Sequence, residues 1–406
     1  MKNMSRTVMG ESGVGPRVPV TSTQTVRDLN SSLVLDLFWK TPVDAGLTAT
    51  ELVENTGLTR STVLAIADEL REAGWLLEDR APSLIPGRGR QARRFTFNRK
   101  RRLVVACDIG FRSITSVVAD LKGAVLGRAG RRFEGREWTT DRTGEVLQTI
   151  DEALLDAGVG HDRIESACLG LAAPLDRNGV PFQGNPFWDA VRIDLERVRG
   201  FATAWGITFE NDADLAAIAE MRASGGHSTG STVTLLAGEW LGAGIVVNGE
   251  LFRGANGGAG EMGYLERVMG VGSSLGPSAV ARDLILEGLA AGRESRVERD
   301  ARPSLESIMA AANEGDALAA EVVGRLEERL SLTVSTLSSF LDPGAVIISG
   351  GNAELLAPML AGVRKRLGEL IPHPPEILAS TLGRDVVLLG AVHSAIAAVR
   401  GASLPS

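Results

Sequence analysis

Cysteine is almost missing from this 406-residue chain: Cys107 and Cys168 are the only two, and both sit inside apolar runs. That excludes a disulfide scaffold, and the two thiols read as buried core groups with no catalytic task. Histidine is equally thin. His161, His227, His373 and His393 are scattered, so surface or core roles are expected for all four. Aromatics make up 4% of the residues while glycine reaches 48, a balance that suits an α/β protein with many tight strand-to-helix turns. There is no apolar run of about 18 residues, so no membrane span is expected. The start of the chain lacks the basic-then-apolar layout of a signal peptide, and a reducing cytoplasm is the expected compartment. The length allows roughly two or three lobes with cores of their own.

Acid is missing from one stretch in particular. The chain carries a formal net charge of −7, yet Arg80 to Arg102 holds nine Arg or Lys and no Asp or Glu. A basic segment on an acidic body is the footprint of a polyanion-binding site or, equally, of a solvated linker.

What precedes that run favours the first alternative. Residues 1–20 lack periodicity and read as a disordered arm. Val26, Leu29, Leu33 and Leu37 then recur at helical spacing and predict one apolar helix face. Thr48-Ala-Thr-Glu51 matches a capping box, in which the Thr hydroxyl and the Glu carboxylate satisfy the first free N–H groups. A short helix follows, then a turn at Thr56-Gly57-Leu58, then a longer helix N-capped by Thr59, with Val63, Ile66, Ala67 and Leu70 inward and an end at Gly74. This is a helix-turn-helix, which places Arg60, Ser61 and Thr62 on the first exposed turn of the second helix, where base edges are read. Trp75-Leu76-Leu77 and Arg93-Arg94-Phe95-Thr96-Phe97 predict the two strands of a wing around the tip Pro86-Gly-Arg-Gly-Arg90. Arg88, Arg90, Arg93 and Arg94 are expected to reach phosphates or a minor groove. An ordinary three-helix bundle shares the helical spacing; the adjacent wing and basic run set this one apart.

Beyond residue 100 the pattern changes to buried strands. Leu103-Val-Val-Ala-Cys107 runs into Asp108-Ile-Gly110, a second strand covers Ile114 to Ala119, and Asp120-Leu-Lys-Gly123 turns into a third. Val146, Leu147, Ile150 and Leu154 mark a helix, followed by a strand from Ile164 to Ala173. A second group of elements begins near Glu210. It has strands at Val233–Leu236 and Gly244–Val247, an Asn248-Gly249 hairpin turn, a helix from about Asp316 to Phe340, and a strand Val346–Ile348 ending at Ser349-Gly350-Gly351.

These residues carry a family resemblance. Asp108-Ile-Gly110, Gly170-Leu-Ala-Ala-Pro174, Asn185-Pro-Phe-Trp188, Glu210-Asn-Asp-Ala-Asp214, Gly242-Ala-Gly-Ile-Val-Val-Asn-Gly249, Gly257-Gly-Ala-Gly-Glu-Met-Gly263 and Asp342-Pro-Gly-Ala-Val-Ile-Ile-Ser-Gly-Gly351 occur in the order of the ROK family (repressors, open reading frames and sugar kinases), which the chain resembles from Arg27 onward. The resemblance implies an α/β fold class: an N-terminal winged helix-turn-helix followed by a two-lobed actin-like (ribonuclease-H-like) ROK domain. The division implied is residues 21–100 for the winged helix and 101–209 for a first lobe, which takes back a C-terminal helix at about 390–402, with 210–389 for a second lobe. Homodimers or homotetramers are the implied assembly.

The resemblance also implies roles. Asp212 takes the place of the base that deprotonates a sugar hydroxyl in the family's kinases, with Asn211 and Glu261 binding sugar hydroxyls and Asn185 joining them. Asp212 also fits a helix cap, and the two roles can coexist. Family kinases follow their first Asp-x-Gly with Gly-Thr; this chain has Phe111 and Arg112. Their second phosphate loop is Gly-Thr-Gly; this chain has Gly238-Glu239-Trp240. A carboxylate about 4 Å from a phosphate costs roughly 4 kcal/mol at intermediate dielectric, and the rings take up space. Neither nucleotide binding nor catalysis is therefore expected, and no cofactor. Zinc-binding members carry a His three residues after the sugar-binding Glu and Cys ligands beyond it. Here Tyr264 stands there and no Cys follows Cys168, so no metal is expected. Tyr264 is left to bond a sugar hydroxyl, stack on a sugar face, or plug the pocket. The expectation is a sugar-responsive repressor that binds double-stranded operator DNA. A bifunctional sugar kinase with a DNA-binding domain and a regulator with no small ligand are the alternatives.

Overall fold

The computed structural model describes residues 23–80, 92–133, 141–185, 188, 191–225, 230–297 and 302–403. The proposed arm, the wing tip with Arg88 and Arg90, and His227 lie outside these residues. The chain forms two compact units, one ending at Asn98 and the other spanning Arg99–Gly401.

The first unit is α1 (Thr23–Lys40), β1 (Gly46–Thr48), α2 (Ala49–Thr56), α3 (Arg60–Glu72), β2 (Leu76–Arg80) and β3 (Arg93–Phe97). The capping box at Thr48 forms as the sequence predicts, with the Thr48 amide donating to Glu51 Oε2 at 2.7 Å. Gly57 ends α2 at φ 71°, a left-handed conformation that glycine adopts without a Cβ penalty. Thr59 caps α3. Val34, Leu35 and Phe38 of α1 close over Leu52, Val63, Ile66 and Phe95.

Two details depart from expectation. The stripe predicted for the inner face of α1 points largely outward: Val26, Leu29 and Leu33 are 46%, 59% and 42% exposed, and only Leu37 packs against the core. Apolar residues occur on two faces of this helix, so periodicity locates the helix without choosing which face is covered. The wing also has a third strand. β1 pairs with β3 from Gly46↔Thr96 to Thr48↔Arg94, a segment too short to show alternation in sequence.

In the second unit the same mixed topology occurs twice. The first sheet contains β4 (Leu103–Ile109), β5 (Ser113–Asp120), β6 (Val125–Arg132), β7 (Ile164–Leu171) and β8 (Gly206–Asn211), in the order β6-β5-β4-β7-β8. The second contains β9 (Ser231–Ala237), β10 (Leu241–Val247), β11 (Glu250–Leu251), β12 (Ala345–Ser349) and β13 (Glu376–Ala379), in the order β11-β10-β9-β12-β13. Each is an antiparallel hairpin with a third strand, extended by two parallel strands. This is the duplicated, two-lobed actin-like architecture. Asn248 (φ 52°) and Gly249 (φ 78°) make the β10–β11 turn, both left-handed as a type I′ hairpin requires.

The helices are α4 (Thr143–Ala157), α5 (Leu195–Phe201), α6 (Asp212–Ala223), α7 (Pro277–Ala290), α8 (Leu305–Asn313), α9 (Ala317–Leu341), α10 (Ala353–Leu356), α11 (Leu360–Leu370) and α12 (Val386–Ser403). By length and composition, the segment containing α12 is apolar enough to cross a bilayer. Its packing is that of a core helix. Val387 sits with Leu215 of α6 against Gly170 in β7, and Gly390 lies so close to α6 that a Cβ there would stand 1.9 Å from the Leu215 carbonyl oxygen. Cys107 and Cys168 are buried and unpaired on neighbouring strands, and burial pushes both thiols up to about 12.

Phe38 is fully buried, so Phe38→Ala removes a ring from the smallest of the cores. Chemical denaturation of the variant is expected to lose about 3–5 kcal/mol in the first unit's transition. A loss under ~1 kcal/mol would show that this core is not organised around α1.

Candidate nucleic-acid interface and effector cleft

Arg60, Ser61 and Thr62 open α3 beyond its cap. Ser61 and Thr62 place their hydroxyl oxygens 3.0 and 2.9 Å from Thr59 Oγ1, and Arg60 Nη1 donates to Thr50 Oγ1 at 3.3 Å. Arg60 and Ser61 are exposed and Thr62 is half-buried. The wing arginines divide. Arg93 does not project as a free cation: Nε donates to Glu78 Oε1 at 2.7 Å, Nη1 to Asp68 Oδ2 at 3.2 Å, and Nη2 to both carboxylates. It clamps α3 to the wing and stacks over Phe95. Arg94, one residue on, faces the opposite side of β3, near Glu51 and Gly46.

In the second unit, Asn185, Asn211, Asp212, Glu261 and Tyr264 all line one cavity of about 350 Å³ between the two lobes. β8 passes into α6 without a loop, and this junction sets the wall. Asn211 is the cap of α6: its Oδ1 accepts from Ala213 N at 2.9 Å and Asp214 N at 3.1 Å, and its Nδ2 donates to the Ala173 carbonyl at 3.0 Å. The capping duty foreseen for Asp212 thus falls chiefly to Asn211, while Asp212 Oδ1 accepts only from Ala213 N. Asn185 Oδ1 accepts from Trp188 N at 3.1 Å, and Glu261 Oε1 accepts from Gly263 N at 2.8 Å. The opposite wall is glycine by necessity. Gly257 (φ 86°) and Gly260 (φ 82°) are left-handed, and a Cβ on either would lie about 2 Å from the carbonyl oxygens of Leu175 and Ala243. Tyr264 stands at the margin, 68% exposed, so it does not plug the cavity.

Carboxylates dominate the electrostatics. Asp212 lines an open cleft, yet desolvation by its walls, reinforced by Asp108, pushes its carboxyl up to about 8. Burial raises Asp108 and Asp214 to about 7, and also raises Glu261. Asp214 is 4% exposed. Burial along this wall thus favours the protonated forms, and a protonated carboxyl can donate as well as accept.

The loops at Phe111–Arg112 and Gly238–Trp240 differ from expectation in a specific way. Phe111 does not fill the cleft; the ring packs against the first lobe's core, and the loop is pinned by the buried Arg142, which donates to the Phe111 carbonyl at 2.9 Å. Nor is Glu239 a bare repelling charge. Arg112 Nη2 reaches Glu239 Oε1 at 3.0 Å and Nε reaches Oε2 at 3.2 Å, with Arg282 a further 3.7 Å partner. The Phe111–Arg112 loop and the Gly238–Trp240 loop are tied to each other, lobe to lobe, by a bidentate ion pair. Trp240 lines the same cavity as Asp212, bridged to Leu275. Residue type alone signalled a changed site; the pairing of one loop with the other, 127 positions apart, had no local signal.

Residues 104–398 match the ROK family, and residues 33–80 match the IclR helix-turn-helix domain. Among curated relatives, a glucokinase of Halalkalibacterium halodurans is 26% identical over 71% of this chain and 93% of its own length. The xylose repressor of Bacillus subtilis is 22% identical over 90% of this chain and 94% of its own. A solved ROK family transcriptional regulator, described as a homolog of the E. coli MLC protein, superposes with a TM-score of 0.70 at 20% identity, over 91% of this chain and 96% of that one.

The raised carboxyls give stability a pH signature. Folded Asp212 holds its proton up to about pH 8, whereas the unfolded group releases it near 3.8. The folded state binds the extra proton between those values, so this contribution is complete below about pH 4 and lost as pH rises toward 8. Asp212→Asn is expected to flatten the decline of Tm between pH 5 and 8. An unchanged slope would place the titrating group elsewhere.

Proposed function

The chain belongs to the ROK family, and from that premise we propose that it is a DNA-binding transcriptional regulator, a repressor of sugar-related genes whose effector occupies a sugar-kinase cleft that no longer phosphorylates. The observation that carries the reading is a combination within one chain. The first turn of a recognition helix stands exposed, and the nucleotide end of the cleft is occupied by the protein's own Arg112–Glu239 pair. A triphosphate there has to displace an interlobe ion pair before it meets either loop.

In this reading Arg60, Ser61 and Thr62 contact base edges, and Arg94 with Arg88 and Arg90 contacts the backbone. Arg93 leaves that set, because its guanidinium is spent on Asp68 and Glu78. In the cleft, protonated Asp212 donates to a sugar hydroxyl, Glu261, Asn211 and Asn185 supply further polar contacts, and Tyr264 at the margin bonds a hydroxyl or stacks on a sugar face. A homodimer presents two recognition helices to successive major-groove faces of a pseudo-palindrome. The effector shifts DNA affinity only to the extent that it binds one lobe arrangement better than the other. Such a protein works in the cytoplasm, on the chromosome.

The glucokinase relatives, together with the retained Asp108, Asp212 and Glu261, favour a second reading, a bifunctional kinase. ATP-dependent phosphorylation of glucose or xylose that disappears in Asp212→Asn would establish it; no turnover above a no-enzyme control is the expected result.

For DNA, Arg60→Ala is expected to cost about 1–3 kcal/mol on the operator and to relax preference at one base position. Arg90→Ala should weaken all sequences alike and reduce the slope of log K against log salt by about 1. Equal, sequence-independent losses in both variants would remove Arg60 from base reading.

A further inference from the structure

A second cavity, about 760 Å³, lies at the seam of the two lobes outside the effector pocket. The first lobe contributes its edge strand β8, the turn at Asp176–Gly179 and Arg199 of α5; the second contributes the β11 edge and the Arg253–Ala255 segment after it. Arg177, Arg199 and Arg253 border it against two carboxylates, Asp176 and Glu210. Both carboxylates are already engaged. Asp176 Oδ1 accepts from the amides of Asn178 and Val180, each at 2.8 Å, which holds it below the usual carboxylate range. Glu210 is paired to Arg253 across the lobes.

The arginines are less fully engaged. Among the described residues Arg177 has no carboxylate partner, and its Nη2 donates to the Gly254 carbonyl at 2.9 Å, again lobe to lobe. Arg199 lies 5.0 Å over the Phe209 ring, and its ion-pair partner Glu196 is 82% exposed and well screened by water. Asp214 lines the neighbouring pocket that contains Asp212, is nearly fully buried, has no hydrogen-bond partner for Oδ1 among the described residues, and feels both Glu210 and Arg253. The seam therefore joins a cavity lined by three guanidinium groups, of which only Arg253 is held by a part-buried carboxylate, to the wall of the Asp212 pocket through that shared arginine.

We propose that this seam cavity is a second ligand site, for a compact oxyanion such as a phosphate group, bridged by Arg177 and Arg199 of one lobe and Arg253 of the other. Guanidinium groups bind tetrahedral oxyanions through paired N–H donors, and the planar fork suits phosphate better than it suits chloride. Because its ligands come from both lobes, an occupied site favours the arrangement that keeps them together and changes how Arg253 is divided between the anion, Glu210 and Asp214. Regulation by an anion thus acts beside the sugar and does not depend on the sugar's identity.

The test is calorimetric titration of the full chain with inorganic phosphate at constant ionic strength set with chloride. One saturable site per chain is expected, weakened at least ~10-fold in Arg177→Ala/Arg199→Ala and retained in Arg112→Ala. Far-UV circular dichroism checks that the double variant folds. If it does not, Arg177→Gln alone, a change at an exposed rim position, carries the test. Absence of saturable binding below about 50 mM, equal binding in the cavity variants, or loss in Arg112→Ala with retention in the cavity variants would each overturn the assignment.

Discussion

The geometry of the larger unit depends on one junction, the passage of β8 into α6 at Asn211–Asp212 with no intervening loop. Asn211 secures the junction by capping α6 and tying back to the Ala173 carbonyl. Glycines then press on the same helix from different elements. A Cβ on Gly244 of β10 would stand 2.3 Å from the Ala213 carbonyl oxygen, and one on Gly390 of α12 would stand 1.9 Å from that of Leu215. The first turns of α6 are thereby gripped, and Glu210, Asp212 and Asp214 have no choice but to face the seam between the lobes. Interiors packed at this density do not deform continuously, so such a junction moves as a unit or not at all.

Everything electrostatic follows from placing so many acids there. Burial raises the carboxyls that remain in the cleft wall, and the ones nearer the surface acquire arginines. Arg253 answers Glu210 at one part of the seam, and Arg112 answers Glu239 at another. Both are partly exposed pairs, individually modest in energy and sensitive to salt. Their importance is positional: they link the lobes at separate places and leave a cavity of about 350 Å³ open at the Asp212 wall.

Much of the smaller unit was legible. The capping box at Thr48, the turn glycine at Gly57 and the Thr59 cap are local hydrogen-bond devices within a few residues of one another, so sequence spacing identifies them. Val26, Leu29, Leu33 and Leu37 locate α1 in the sequence, and only the fold shows that most of that stripe stays uncovered, because covering a face is a tertiary event. Arg93 was read as a nucleic-acid ligand from its place in a basic run; its carboxylate partners lie 15 and 25 residues away, on a neighbouring strand and helix. In the cleft, the gathering of Asn185, Asn211, Asp212, Glu261 and Tyr264 followed from ordered motifs. The division of labour between Asn211 and Asp212 did not, since both are good cap residues and only backbone direction separates them.

The sequence by itself determined the elements, their order, the winged module ahead of a duplicated α/β body, and which residue types stand where the family's kinases hold nucleotide, because each of these rests on local propensity, turn chemistry and periodic burial. The tertiary structure alone decided which charges meet. Arg112 with Glu239, Arg253 with Glu210, and Arg93 with Asp68 and Glu78 are pairings between distant segments, and Coulomb attraction at 3 Å is set by the fold and not by separation along the chain.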